Sequence, residues 1–187
     1  MVAITTAADG SIEAADFRQI FGLLPTGVVA ITGKSESGKP LGFVVGTFQS
    51  LSLDPPLVMF AVDKGSSTWP WIRNLEQFTA NILSTEQLPV CKALARKGDD
   101  KFKDLPFEWS TIGTPRLPGS TAWIDCDVAS EIVAGDHYVI VGEIKEMEQA
   151  SDCEALLFRG GKFGEFDFWD RPAPEPKPIA EEVETQE

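Results

Sequence analysis

Apolar positions first recur at helical spacing. Phe17, Ile20, Phe21 and Leu24 share a face, which predicts a short amphipathic helix stopped by Gly22 and Pro25. Strand patterns follow. Val28 to Thr32 is β-branched and apolar, Leu41 to Phe48 is a second apolar run, and Leu57 to Val62 is a third. Lys34 to Pro40, with Gly38, Pro40 and two serines, separates the first two as a loop. Ser50-Leu51-Ser52-Leu53 alternates and ends at Asp54-Pro55-Pro56, a proline-forced turn, because proline has no amide to donate to a ladder. A short helix is expected over Ser67 to Asn74, with Thr68 placed to cap it and Pro70 in its first turn. Phe78 to Leu83 is another strand, and the Ser84/Gln87 spacing predicts a capping box opening a helix to about Arg96. Pro89 makes the start of that helix uncertain.

In the C-terminal half, Ala122 to Glu131 alternates so that Ile124, Cys126 and Val128 face one way and Asp125 and Asp127 the other. The chain turns at Val133 to Asp136 and returns over Tyr138 to Met147. Leu156 to Phe158 and Phe163 to Phe166 flank Arg159-Gly160-Gly161-Lys162, a tight hairpin. About eight strands and two or three short helices predict a mainly β fold. An antiparallel barrel is the natural closure, since it leaves no open edge.

Composition adds limits. With 187 residues, 43% of them hydrophobic, the chain holds one sizeable core. The domain is expected over residues 11–169, with 1–10 disordered and 170–187 an acidic, Pro/Glu-rich disordered tail. A net charge of −13 argues against a nucleic-acid partner, which needs clustered Lys and Arg. No apolar run is long enough for a membrane helix, and the first residues lack the pattern of a signal peptide. Cys91, Cys126 and Cys153 are odd in number and widely spaced, which predicts no disulfide framework and a cytoplasmic location. A single histidine and no CxxC argue against a structural metal.

Several catalytic motifs fail. Gly22 to Val28 has the glycine spacing of a phosphate-binding loop without the Lys-Ser/Thr that must follow, and no GxSxG or GxGxxG is present. What remains is a run of small and hydroxyl residues: Gly46, Thr47, Ser50 and Ser52, then Lys64, Ser66, Ser67 and Thr68. Small side chains let a flat ligand reach the backbone, and hydroxyls with a lysine suit a phosphate. A loop and a helix cap would use the same residues. His137, alone in Gly135-Asp136-His137, fits either a structural role or a ligand rim.

In order along the chain, these residues resemble the short-chain flavin reductases, the FMN-binding split-barrel group that includes the reductase components of two-component flavin monooxygenases. The resemblance is carried by Phe17-Arg18 with Pro25-Thr26-Gly27-Val28, by Gly42-Phe43-Val44-Val45-Gly46-Thr47-Phe48-Gln49-Ser50-Leu51-Ser52-Leu53-Asp54-Pro55-Pro56, by Phe78 to Leu83, by Asp100-Lys101-Phe102, and by Gly135-Asp136-His137 with Val141-Gly142-Glu143-Ile144. It implies an antiparallel split β-barrel and an NAD(P)H:flavin oxidoreductase passing a hydride to FMN or FAD. It implies a homodimer and a separate monooxygenase that takes the reduced flavin. By the same resemblance Ser50, Ser52, Lys64 and Ser67 hold the ribityl chain and phosphate. Val45, Gly46 and Thr47 line the ring, Phe102 covers it, Thr26 and Leu51 also bind the cofactor, and His137, the catalytic residue, meets the nicotinamide. Val44 and Gly46 stand where the family commonly has Thr and Asn, so a backbone amide has to replace the Asn contact. FMN and FAD are not distinguished. The lack of an arginine cluster leans toward NADH over NADPH. Two rival readings are a tightly FMN-bound electron-transfer or oxidase module and a non-catalytic flavin-binding barrel.

Overall fold

A computed structural model describes residues 12–98 and 100–167. The expected disordered start (1–10) and acidic tail (170–187) lie outside the described residues. The fold is mainly β, an antiparallel split barrel. Its main sheet has seven strands: β2 (Val29–Lys34), β3 (Pro40–Val45), β4 (Gln49–Leu53), β5 (Pro56–Asp63), β6 (Gln77–Ile82), β9 (Ala122–Ala134) and β10 (His137–Gln149). Their spatial order is β3-β2-β6-β9-β10-β5-β4. The two edges, β3 and β4, are consecutive in the chain, so the sheet curls until its ends approach and a slit remains between them. The Gly46–Phe48 crossing is pinned over that slit by Thr47, whose Oγ1 accepts from Ala61 N at 2.9 Å and donates to Ala61 O at 3.3 Å.

Alternation decides which side chains enter the barrel. On β5, Val58, Phe60 and Val62 are buried and their neighbours are not. They join Ile31, Trp69, Ile72, Phe78, Cys126 and Ile140 in one core cluster. On β2 both faces are covered. Val29 and Ile31 enter the barrel, while Ala30 joins Val28, Leu83, Cys91, Leu94 and Leu117 in a second cluster. Helix α3 (Leu88–Ala95) supplies Cys91 and Leu94 to it. Shorter elements complete the fold: α1 (Ala14–Phe21), α2 (Trp69–Arg73), the pair β7 (Glu108–Trp109) and β8 (Pro115–Arg116), and a small sheet of β1 (Thr26–Gly27), β11 (Leu157–Arg159) and β12 (Lys162–Gly164). Among the described residues no helix is long and apolar enough to cross a membrane.

The pattern-based expectations hold for most elements and fail at some ends. The second apolar run stops being strand at Val45, where the chain leaves to cross the slit. Thr68 does not cap α2. Ser66 Oγ accepts from Trp69 N at 3.2 Å instead, two positions earlier giving the hydroxyl its reach. Gln87 Oε1 accepts from Ser84 N at 3.1 Å, a short 3₁₀ turn (Thr85–Gln87) follows, and Pro89 sits in the first turn of α3, where no amide is missed. Cys126 is buried as expected, and burial pushes its thiol up to about 12, so it stays protonated and inert.

Asp125 is the largest departure. Alternation placed it on a polar outer face, yet it is fully buried. The 108–118 segment covers that face and brings Arg116, whose Nη2 lies 2.6 Å from Asp125 Oδ2. A carboxylate only accepts, which orients the hydroxyl chain Ser110 to Thr114 to Thr79 to Asp125 Oδ1, with contacts of 2.9, 2.5 and 2.6 Å.

Candidate functional site

A groove of about 340 Å³ opens at the slit. Val45, Gly46 and Thr47 form one wall, Ala61 to Asp63 the other, and Ser66 and His137 close one end. The ladder explains the last neighbour: His137 pairs with Asp63 as β10 runs antiparallel to β5. The β9–β10 turn is stitched to the β5–α2 loop by Lys64 N donating to Asp136 O at 3.0 Å and Lys64 Nζ donating to Gly135 O at 2.5 Å. The Lys64 ammonium also lies 5.7 Å from the centre of the Tyr138 ring. His137 Nδ1 is 2.7 Å from Asp136 Oδ1. The carboxylate there accepts a hydrogen bond from Nδ1–H, which leaves Nε2 as the free ring nitrogen. The same hydrogen bond holds the Asp136 carboxyl below the usual carboxylate range.

Gly46 is the corner of the site. It also borders a cavity of about 750 Å³ beside α1 and one of about 200 Å³ lined by Val28, Cys91, Phe158 and Phe163. A Cβ at position 46 would stand 2.7 Å from Thr26 Oγ1. Thr26 therefore fills the space that a side chain at 46 would need. The corner suits a flat heteroaromatic ring. Apolar walls come from Val44 and Val45, hydroxyls from Thr26 and Thr47, and the main chain is open where no side chain intervenes.

The remaining sequence candidates divide. Ser67 and Phe102 share a second groove, of about 270 Å³, on the far side of Ser66. Phe102 Cε2 lies 3.1 Å from the point where a Cβ on Gly42 would stand, so the ring packs directly over β3. Ser50, Leu51 and Ser52 lie on β4, and none of them lines either groove. Asp63 was not anticipated, and Ser66 stood in the expected hydroxyl run without a role of its own. Asp63 Oδ1 accepts from Gly65 N and Ser66 caps α2, so both shape the loop that carries Lys64. Their signal in the sequence was the Asp-Lys-Gly-Ser-Ser-Thr run itself, a turn followed by a hydroxyl cap.

Comparison with known proteins bears on this geometry. The model of the family described as "Flavin reductase like domain" matches residues 21–167. A flavin reductase of Pseudomonas putida is 46% identical over 150 residues, covering 80% of this chain and 88% of that protein. An FMN reductase (NADH) of Agrobacterium fabrum is 37% identical over 157 residues, with 84% and 88% covered. The crystal structure of a nitrilotriacetate monooxygenase component B homologue from Mycobacterium thermoresistibile superposes with a TM-score of 0.81 at 34% identity, covering 88% of this chain and 93% of that one. With the split barrel, the slit groove and these matches together, the chain belongs to the flavin reductase like domain family.

Proposed function

We propose that this protein is an NAD(P)H:flavin oxidoreductase that supplies reduced FMN or FAD to a separate flavin-dependent monooxygenase, and that it works as a cytoplasmic homodimer. One observation carries the reading: the corner at Val45–Thr47, free of a side chain at Gly46, shares one groove with His137. The flavin and the reduced nicotinamide, when bound, supply the redox chemistry, a hydride passing between their rings. The chain's own groups bind and orient. Val45 and Gly46 give the flat ring access to the backbone. Amides at Gly46 and Thr47 offer donors to its polar edge. Thr26 fixes the corner's width. The Asp136 hydrogen bond sets the His137 ring, so that Nε2 meets the nicotinamide side. Hydride transfer itself needs no side chain to act as acid or base.

The test is NAD(P)H loss with FMN, FAD, riboflavin or no flavin. Acceleration by an added flavin is expected, and none with any flavin overturns the reading. Colourless purified protein supports the reductase over a tightly FMN-bound module. His137→Ala is expected to lower kcat/KM for NADH about tenfold, the worth of one hydrogen bond, with the far-ultraviolet spectrum intact because the side chain is 41% exposed. An unchanged kcat/KM removes His137 from the site.

Exposed apolar surface supports the homodimer. Phe17, Phe21, Leu23 and Leu24 on and after α1 are each more than half exposed, and Arg159 Nε holds that end to the β11–β12 hairpin through Leu23 O at 2.9 Å. Sedimentation velocity is expected to give twice the mass of the chain, and a monomer at assay concentrations overturns the homodimer. The three unpaired thiols suit a reducing compartment. The monooxygenase partner rests on the structural relative described as component B of a monooxygenase.

A further inference from the structure

We propose that Lys64 is a positioning residue for the hydride donor: its ammonium and its main-chain amide clamp the Gly135-Asp136 turn, and through Asp136 they fix the His137 ring at the end of the slit groove. The proposal rests on the reductase reading, which puts the nicotinamide beside His137. It gives Lys64 a different task from the phosphate contact that the sequence resemblance implies.

The first observation is where the ammonium goes. Lys64 Nζ donates to Gly135 O at 2.5 Å and lies 5.7 Å from the centre of the Tyr138 ring. Lys64 lines neither the slit groove nor the groove beside Phe102. Its main-chain N donates to Asp136 O at 3.0 Å. One residue therefore holds the carbonyls of two consecutive residues, the pair directly before His137. An ammonium is a donor only and suits a carbonyl as well as a phosphate. Here the carbonyl has it.

The second is how little else restrains that turn. Gly135 and Asp136 are the two loop residues between Ala134 and His137, which pair across the β9–β10 hairpin. Gly135 has φ +60°, a value that two-residue hairpin turns need and that glycine takes without strain. A Cβ there would meet nothing within 4 Å beyond the adjoining residues, so packing does not hold the turn. Val133, just before it, is exposed, and the pairing of β10 with β5 stops at His137 opposite Asp63. Past that register, among the described residues, both hydrogen bonds that reach the turn from another element come from Lys64.

The third is what the turn carries. Asp136 Oδ1 accepts from His137 Nδ1 at 2.7 Å, and the Asp136 side chain is 90% exposed. A pair so open to water holds its geometry weakly unless its backbone is fixed. The clamp fixes the backbone of Asp136, and the ladder to Asp63 fixes that of His137. Lys64 is itself held in a tight turn, where Asp63 Oδ1 accepts from Gly65 N and Ser66 N donates to Asp63 O at 2.9 Å.

His137 is the only histidine of the chain, so its ring nitrogens give one pair of signals in nitrogen-15 spectra. On the alkaline side of the imidazole titration, the full native chain is expected to show the Nδ1-protonated form. Lys64→Met, at an exposed position, should move the signals toward the mixture of tautomers of a free imidazole. Lys64→Arg, which keeps a donor, should restore the native pattern. In steady state Lys64→Met should lower kcat/KM for NADH about fivefold, the worth of one hydrogen bond. It should leave KM for FMN and for riboflavin as they are, and add nothing in a His137→Ala background. The proposal is overturned if the native ring is Nε2-protonated, if Lys64→Met leaves the signals or kcat/KM unchanged, if Lys64→Arg behaves like Lys64→Met, or if the loss persists without His137. A KM that rises for FMN and not for riboflavin also overturns it, since the ammonium would then serve the flavin phosphate. Should no flavin accelerate NAD(P)H loss, the reductase reading falls, and the imidazole signals still decide whether Lys64 sets the ring.

Discussion

Arg116→Ala is expected to cost about 3–5 kcal/mol of stability, because it strands a buried carboxylate. Asp125 is completely shielded from water and Arg116 nearly so, and the guanidinium reaches Asp125 Oδ2 through both Nη2 at 2.6 Å and Nε at 3.2 Å. The Arg116 pKa is raised, foremost by that hydrogen bond, so the cation is locked in. It also meets Glu146 at 3.0 Å and lies 5.4 Å from the centre of the Trp123 ring. With Arg116 gone, Asp125 keeps the Thr79 hydroxyl and no positive charge. Urea unfolding of the single variant should show the loss as a lowered midpoint. The double variant Arg116→Met with Asp125→Leu should recover most of it, since removing both charges leaves nothing unpaired. A single variant that unfolds within about 1 kcal/mol of the native protein would show that water reaches Asp125.

Gly142→Ala is the second large effect, expected at about 3 kcal/mol, the upper end for overpacking. A Cβ there would stand 2.5 Å from Phe78 Cζ and 3.2 Å from Cys126 Cβ. Phe78 cannot retreat. It is fully buried and packs edge-on against Phe60, ring centres 5.3 Å apart. Thermal unfolding should show a clearly lowered Tm. In a Phe78→Leu background the same substitution should cost much less, because the colliding ring edge is absent. Equal costs in the two backgrounds would show that β10 shifts to make room, at the bulge between Val141 and Gly142.

Gly142 shows how a motif can be legible while its reason is not. Val141-Gly142-Glu143-Ile144 identified the family in the sequence, but the ring that forbids a side chain there arrives from β6, more than sixty residues earlier. Strand existence was readable because burial alternates along β5 as the residues do. The error at Asp125 came from assuming that the second face of a sheet meets water. Only the 108–118 segment decides otherwise, and its two-residue strands leave no periodic trace. Thr26 against Gly46 is likewise a contact between distant positions, invisible to spacing. Within the candidate site, the Val45–Thr47 and His137 motifs marked one groove.

The slit groove takes little from the barrel's interior. Of the residues that line it, Val62 alone is fully buried; the rest sit on strand edges, on the crossing or on loops. Apart from Phe43, Val45 and Val62, which pack in the barrel core, the residues that line the groove are separate from those that keep the barrel folded. Substitutions at Thr47 or Asp63 can accumulate without drawing on the stability held by Phe60, Phe78 and Trp69. For an engineer, ligand preference in this protein can be varied as a library over the rim, on a scaffold that does not have to be restabilised at each round.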